Sequence, residues 1–175
     1  MLKSKDIKYM VISGICLALC MYLPFLTMQI PRFGQVLSPM HIPVFICGFL
    51  CGARYGALVG AVAPLLRFMF FGMPPLIPMG IAMCFELAVY GLAAALLYKA
   101  FPKKAGFVYV SLILAMLLGR IVWGVAMWRV MEVATDGSFT FGAFLSGAFL
   151  TAWPGIILHI IVIPPIVLAL RGFMK

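Results

Sequence analysis

Acidic residues are almost missing from this chain: Asp and Glu together number 4 against 13 Lys and Arg, and charged residues make up only 10% of the sequence. A soluble domain carries about 25% charged residues. This scarcity, together with 66% hydrophobic residues and a mean hydropathy of +1.20, excludes a water-exposed globule and describes a protein dissolved in lipid. Also lacking is a G-x-x-x-x-G-K-[ST] loop, so nucleotide hydrolysis by that route is excluded, and active transport would draw on an ion gradient or on another protein. No H-E-x-x-H, Ser/His/Asp set or paired aspartates occur, so the chain reads as a non-enzyme. The net charge of +9 does not call for nucleic acid, because no basic-aromatic face projects into water.

What is present is a series of apolar runs separated by charges and Pro/Gly breaks. At roughly 25 residues per span with its connection, they make one all-α membrane domain, residues 1–175, with six transmembrane helices. The expected spans are about 8–28, 39–53, 55–72, 76–98, 106–128 and 141–170. The second is short and bounded by Pro39, Pro43 and Gly52. The last is long and interrupted by Pro154, Gly155, Pro164 and Pro165; a kink is expected there, because proline removes a backbone donor and crowds the preceding turn.

Six spans put both termini on one side. Lys3, Lys5, Lys8, Arg54, Lys99, Lys103, Lys104, Arg171 and Lys175 fall on that side, with Arg32 and Arg129 opposite. The positive-inside rule makes the terminal side cytoplasmic, and the basic excess then faces anionic headgroups of the bilayer. The first apolar run, preceded by lysines and containing Leu17-Ala18-Leu19-Cys20, resembles a lipoprotein leader only faintly, and its length and the bulk of Leu19 favour a retained helix.

The cysteines Cys16, Cys20, Cys47, Cys51 and Cys84 all lie in spans. The pairs Cys16/Cys20 and Cys47/Cys51 share helix faces, but no His or carboxylate accompanies them at useful spacing. They read as small apolar residues, and neither a metal nor a cofactor is expected. Gly14 and Ala18 on the first span, and Gly56 and Gly60 with Ala57 and Ala61 on the third, form small-xxx-small faces. Such faces let another helix come close, either within this chain or from a membrane partner.

Chemistry is most concentrated in the ionisable residues inside the spans: Arg67, Glu86 and Arg120. A charge near mid-bilayer costs at least ~3 kcal/mol on insertion scales, so such groups face a protein interior, a partner or a ligand. Met79, Met83, Glu86 and Tyr90 repeat at i, i+4, i+7 and i+11, as do Met116, Arg120, Trp123 and Met127, so each helix carries one stripe with a single charge among thioether and aromatic groups. Either Arg67 or Arg120 can meet Glu86 in an internal salt bridge; in both cases one arginine is left without a carboxylate in the spans. That cation would suit an anionic ligand. The polar first connection, with Gln35 and then His41, and the proline-rich Gly72–Pro78 segment are placed to edge such a pocket.

The run Pro39-Met40-His41-Ile42-Pro43-Val44, then Cys47-Gly48-Phe49-Leu50-Cys51-Gly52, Tyr55-Gly56, Gly60 and Pro64-Leu65-Leu66-Arg67, followed by Phe71-Gly72-Met73-Pro74-Pro75 and Phe85-Glu86-Leu87-Ala88-Val89-Tyr90-Gly91, resembles the substrate-binding S components of energy-coupling factor (ECF) vitamin transporters. The resemblance spans residues 10–170. It implies a six-helix subunit of the prokaryotic plasma membrane that captures a micronutrient from outside and docks on a transmembrane coupling protein driven by two cytoplasmic ATPases. It also implies that Gly14-Ile15-Cys16-Leu17-Ala18 stands where the family has an alanine-rich coupling face, here with glycine first. The substrate site then maps onto Glu86, Arg120, Trp123 and Trp153, with Gln35 and His41 from the first outer connection. An unpaired cation leans toward a small carboxylate such as pantothenate, ahead of niacin-like, pyridoxine-like or pyrimidine ligands. A proton-coupled secondary transporter or small channel using Glu86 remains an alternative, although 175 residues leave little room for paired repeats. A non-transporting membrane scaffold is a third reading.

Overall fold

The structure, a computed structural model, describes residues 4–26, 37–102, 104–134 and 140–172. Among these there is no strand. Helix α1 is Ser4–Leu26, α2 His41–Cys51, α3 Ala53–Phe71, α4 Ile81–Ala100, α5 Ala105–Ala134, α6 Phe141–Leu145 and α7 Trp153–Arg171. A wide turn, Leu76–Gly80, leads into α4, and a second, Ser146–Leu150, links α6 to α7. By length and composition, 5 stretches of the described residues are able to cross a membrane: Asp6–Phe25, Ala53–Phe71, Leu76–Ala100, Ala105–Ala134 and Phe141–Arg171.

The expected second span contracts to α2, whose 11 residues extend ~16 Å, about half a hydrocarbon core. It can be this short because it is the inner helix. His41, Pro43, Val44, Phe45, Cys47, Gly48, Phe49 and Cys51 are all buried, and α1, α3, α4 and α7 pack around it.

Cross-helix contacts give the directions. Tyr9 meets Tyr55 at one end of the bundle and Phe25 meets Phe71 at the other, so α1 and α3 are parallel. Ser13 touches Cys47 and Cys20 reaches the carbonyl of Met40, so α2 returns antiparallel to α1. Phe49 packs edge-on against Tyr98, and Arg171 lies 5.8 Å from the Tyr98 ring centre, which brings the ends of α2, α4 and α7 together beside the start of α1 and α3. The described start of the first helix and the end of the last thus share one end of the bundle.

Close approach of α2, α3 and α4 depends on glycine. A Cβ on Gly48 would lie 2.5 Å from the Gly91 carbonyl oxygen, one on Gly56 would lie 2.7 Å from Gly48 Cα, and one on Gly60 would run into the backbone of Leu87. Gly56 and Gly60 were candidates for a partner surface; they are instead buried in the α3–α4 seam, because their missing side chains are what that seam requires. Gly14 and Ala18 differ: both are exposed, and a Cβ on Gly14 would meet nothing within 4 Å.

The expected kink of the last span falls earlier than its prolines suggest. The chain breaks at Thr151 and Ala152, where the Thr151 hydroxyl donates to the carbonyls of Ser146 and Gly147 at 2.9 and 3.2 Å. Pro154 then sits in the first turn of α7, where a missing backbone donor costs nothing, and Pro164 and Pro165 lie inside a helix that continues to Arg171.

Candidate functional site

The intramembrane glutamate is the centre of a buried polar cluster. Glu86, on the inward face of α4, is 2% exposed. Arg120 of α5 brings Nη1 to 3.1 Å from Glu86 Oε1, and the Tyr90 hydroxyl, one turn along α4, donates to the same oxygen at 2.7 Å. The i, i+4 spacing of Glu86 and Tyr90 makes their meeting a property of the helix itself. The Tyr90 ring is accommodated because residue 119 is glycine; a side chain there would occupy the ring's place. On its other side Tyr90 stacks on Phe45 of α2, with ring centres 4.7 Å apart.

Two histidines close the cluster from α2 and α7. His41 Nε2 is 3.9 Å from Glu86 Oε1, too far for a hydrogen bond. Its ring lies 5.3 Å from that of Tyr90 and stacks on His159 at 5.6 Å with an interplanar angle of 22°. Ser38, in the left-handed region at φ 43°, directs its carbonyl both to the backbone N–H of His41 at 3.0 Å and toward His159 Nε2 at 3.3 Å. A carbonyl only accepts, so that contact requires the His159 proton on Nε2.

The cluster is not fully satisfied internally. Both ring nitrogens of His41, and Nε of Arg120, are buried without a hydrogen-bond partner. Unpaired buried polar atoms are uncommon in folded proteins and each calls for an explanation. Arg120 also borders a cleft of about 120 Å³ between α5 and α7, walled by Ile113, Leu117, Phe149, Ile156 and Ile160.

The family described as ECF transporter, substrate-specific component, matches residues 8–167. The chain belongs to that family. No curated protein and no solved structure is matched by it. S components bind small-molecule substrates and work with an ECF module in the membrane, as binding subunits of a transporter and not as enzymes.

Of the residues singled out for the S component's site, His41, Glu86, Tyr90 and Arg120 come together. Trp123 is buried one turn further along α5 in a separate cluster with Ala82, Met127 and Ala148, with Met79 packed against it. Its ring stacks on Phe144 at 6.4 Å, and Gly147 gives it room, since a Cβ there would lie 2.9 Å from the indole. Met83 packs against the main core. Gln35 lies outside the described residues.

Arg67 and Trp153 stand apart. Arg67 is buried at the far end of α3, where Nη1 donates to the Met21 carbonyl at 3.0 Å and the guanidinium lies 5.7 and 5.5 Å from the Phe25 and Phe71 ring centres. It clamps the last turns of α1, in which Pro24 removes a backbone donor. Trp153 is 59% exposed on the outside of α7. Among the described residues one arginine is indeed left without a carboxylate: Arg120 pairs with Glu86, whereas Arg67 meets only the Met21 carbonyl and two phenylalanine rings, and it does so away from the cluster.

His159 and Phe45 are the residues that sequence reasoning passed over. His159 carried the same signal as the arginines, an ionisable side chain inside an apolar run, and is 1% exposed. Phe45 had no signal of its own. The cysteines Cys16, Cys20, Cys47 and Cys51 line the α1–α2 contact as buried free thiols, and among the described residues no group of His, Cys, Asp or Glu is arranged to hold a metal.

Proposed function

We propose that this S component captures a vitamin or related micronutrient from outside a prokaryotic cell and passes it inward through a transmembrane coupling protein and two cytoplasmic ATPases. In this reading α2 counts as the second of six spans and both termini are cytoplasmic, in keeping with the basic residues Lys8, Arg54, Lys99 and Arg171 gathering toward one end of the bundle. The observation that carries the proposal is the buried His41–Glu86–Tyr90–Arg120–His159 cluster with partnerless nitrogens, in a chain whose family binds small molecules. Buried donors and acceptors left open by the protein are what a polar ligand fills.

Trp123, Met79, Met83 and Gln35 stand as further candidate contacts for the ligand, the first two in the neighbouring cluster and Met83 against the main core. The exposed Gly14/Ala18 face of α1 is the docking surface for the coupling protein. The small-carboxylate substrate, pantothenate being the example, rested on an arginine left without a carboxylate, and that arginine is Arg67, which lies away from the cluster.

The test is reconstitution. Co-expression with an ECF module should yield a complex that retains both ATPases, and uptake should require ATP. Transport by this chain alone in liposomes, accompanied by proton flux, would instead establish the secondary-transporter reading with Glu86 as its titrating group.

A further inference from the structure

The charge of the substrate can be read from the way the cluster is balanced, an inference that rests on the binding reading above. Glu86 and Arg120 form a buried ion pair at 3.1 Å, 2% and 10% exposed in their side chains, so the pair is already close to neutral before any ligand arrives. A carboxylate placed beside Arg120 would become the second anion on one cation. In a low-dielectric interior an uncompensated buried charge carries a heavy desolvation penalty. Arg67, the other intramembrane cation, is held by the Met21 carbonyl and two phenylalanine rings and does not share the load.

What the site leaves open is hydrogen bonding, not charge. Arg120 Nε is a buried donor with no acceptor. The groove beside Arg120 is apolar and open to the outside of the bundle, with Ile113, Leu117 and Phe149 of its lining exposed. We infer that the ligand is uncharged and offers an acceptor such as an amide carbonyl to Arg120.

The experiment uses matched probes that differ in charge. The intact chain in lipid nanodiscs is titrated with nicotinamide against nicotinate, and with panthenol against pantothenate. The neutral member of at least one pair should bind more tightly by about tenfold or more. In Glu86→Gln, which keeps the side-chain shape but removes the compensating anion, the preference should move toward the acid. A wild-type preference for the acids, binding of neither neutral probe in the millimolar range, or an unchanged ratio in a folded Glu86→Gln protein would overturn the inference. If Glu86→Gln does not fold, the wild-type comparison decides alone. Co-purification with the ECF module is scored separately, so that loss of the importer reading and loss of the charge inference are told apart.

Discussion

Arg120 Nη1 approaches Glu86 Oε1 at 3.1 Å, joining α5 to α4 through the one acid and one of the two arginines that lie deep in the described spans. A buried pair of this kind binds its two helices in register while adding little net stability over a well-packed apolar substitute. Several consequences are measurable.

Removing one member strands the other. Glu86→Leu or Arg120→Met should each cost about 3–5 kcal/mol, whereas the double variant should recover most of that loss. Unfolding titrations in mixed micelles of the four proteins give the coupling energy. If the double variant were destabilised by the sum of the single losses, the two residues would not act as a unit.

Arg67→Met isolates the other buried cation. It leaves the Met21 carbonyl without its side-chain donor, which should cost about 1–3 kcal/mol of stability. Because Arg67 is held between α1 and α3, ligand affinity measured on the folded variant should stay at the wild-type value. A selective loss of affinity would put Arg67 back in the binding site.

The two glycine faces should respond in opposite ways. Gly60→Ala forces a methyl into the backbone of Leu87 and should destabilise the protein by about 1–3 kcal/mol, with a larger residue worse. Stability rather than uptake is the readout. A neutral Gly60→Leu would contradict the tight α3–α4 seam.

Gly14→Leu and Ala18→Leu should leave stability within about 0.5 kcal/mol, because neither side chain is packed inside the chain. Uptake in cells carrying an ECF module should be lost while ligand affinity is kept, since a bulky residue blocks helix approach on the outer face of α1. Normal uptake by both variants would remove this face from the coupling role.

Composition was enough to establish a lipid-dissolved, all-helical chain, because the bilayer admits so few ways of satisfying a backbone. Helical phase was enough to turn Glu86 and Tyr90, and Met116, Arg120, Trp123 and Met127, toward the interior; all are buried. Those are local properties, set by 3.6 residues per turn and by the cost of charge in lipid. Which arginine meets Glu86 was not local. Arg67 and Arg120 carry the same signal in the sequence, and only the packing of α5 on α4 and of α1 on α3 assigned one to the carboxylate and the other to a backbone carbonyl. The small-residue faces show the same division: Gly14/Ala18 and Gly56/Gly60 read alike as patterns, yet the neighbours brought by folding buried one and left the other open. The sequence by itself therefore determined the class of the protein, its helices and the inventory of buried charge. The tertiary structure alone decided the partners, because pairing across helices depends on interhelical distances that no periodicity along one helix contains.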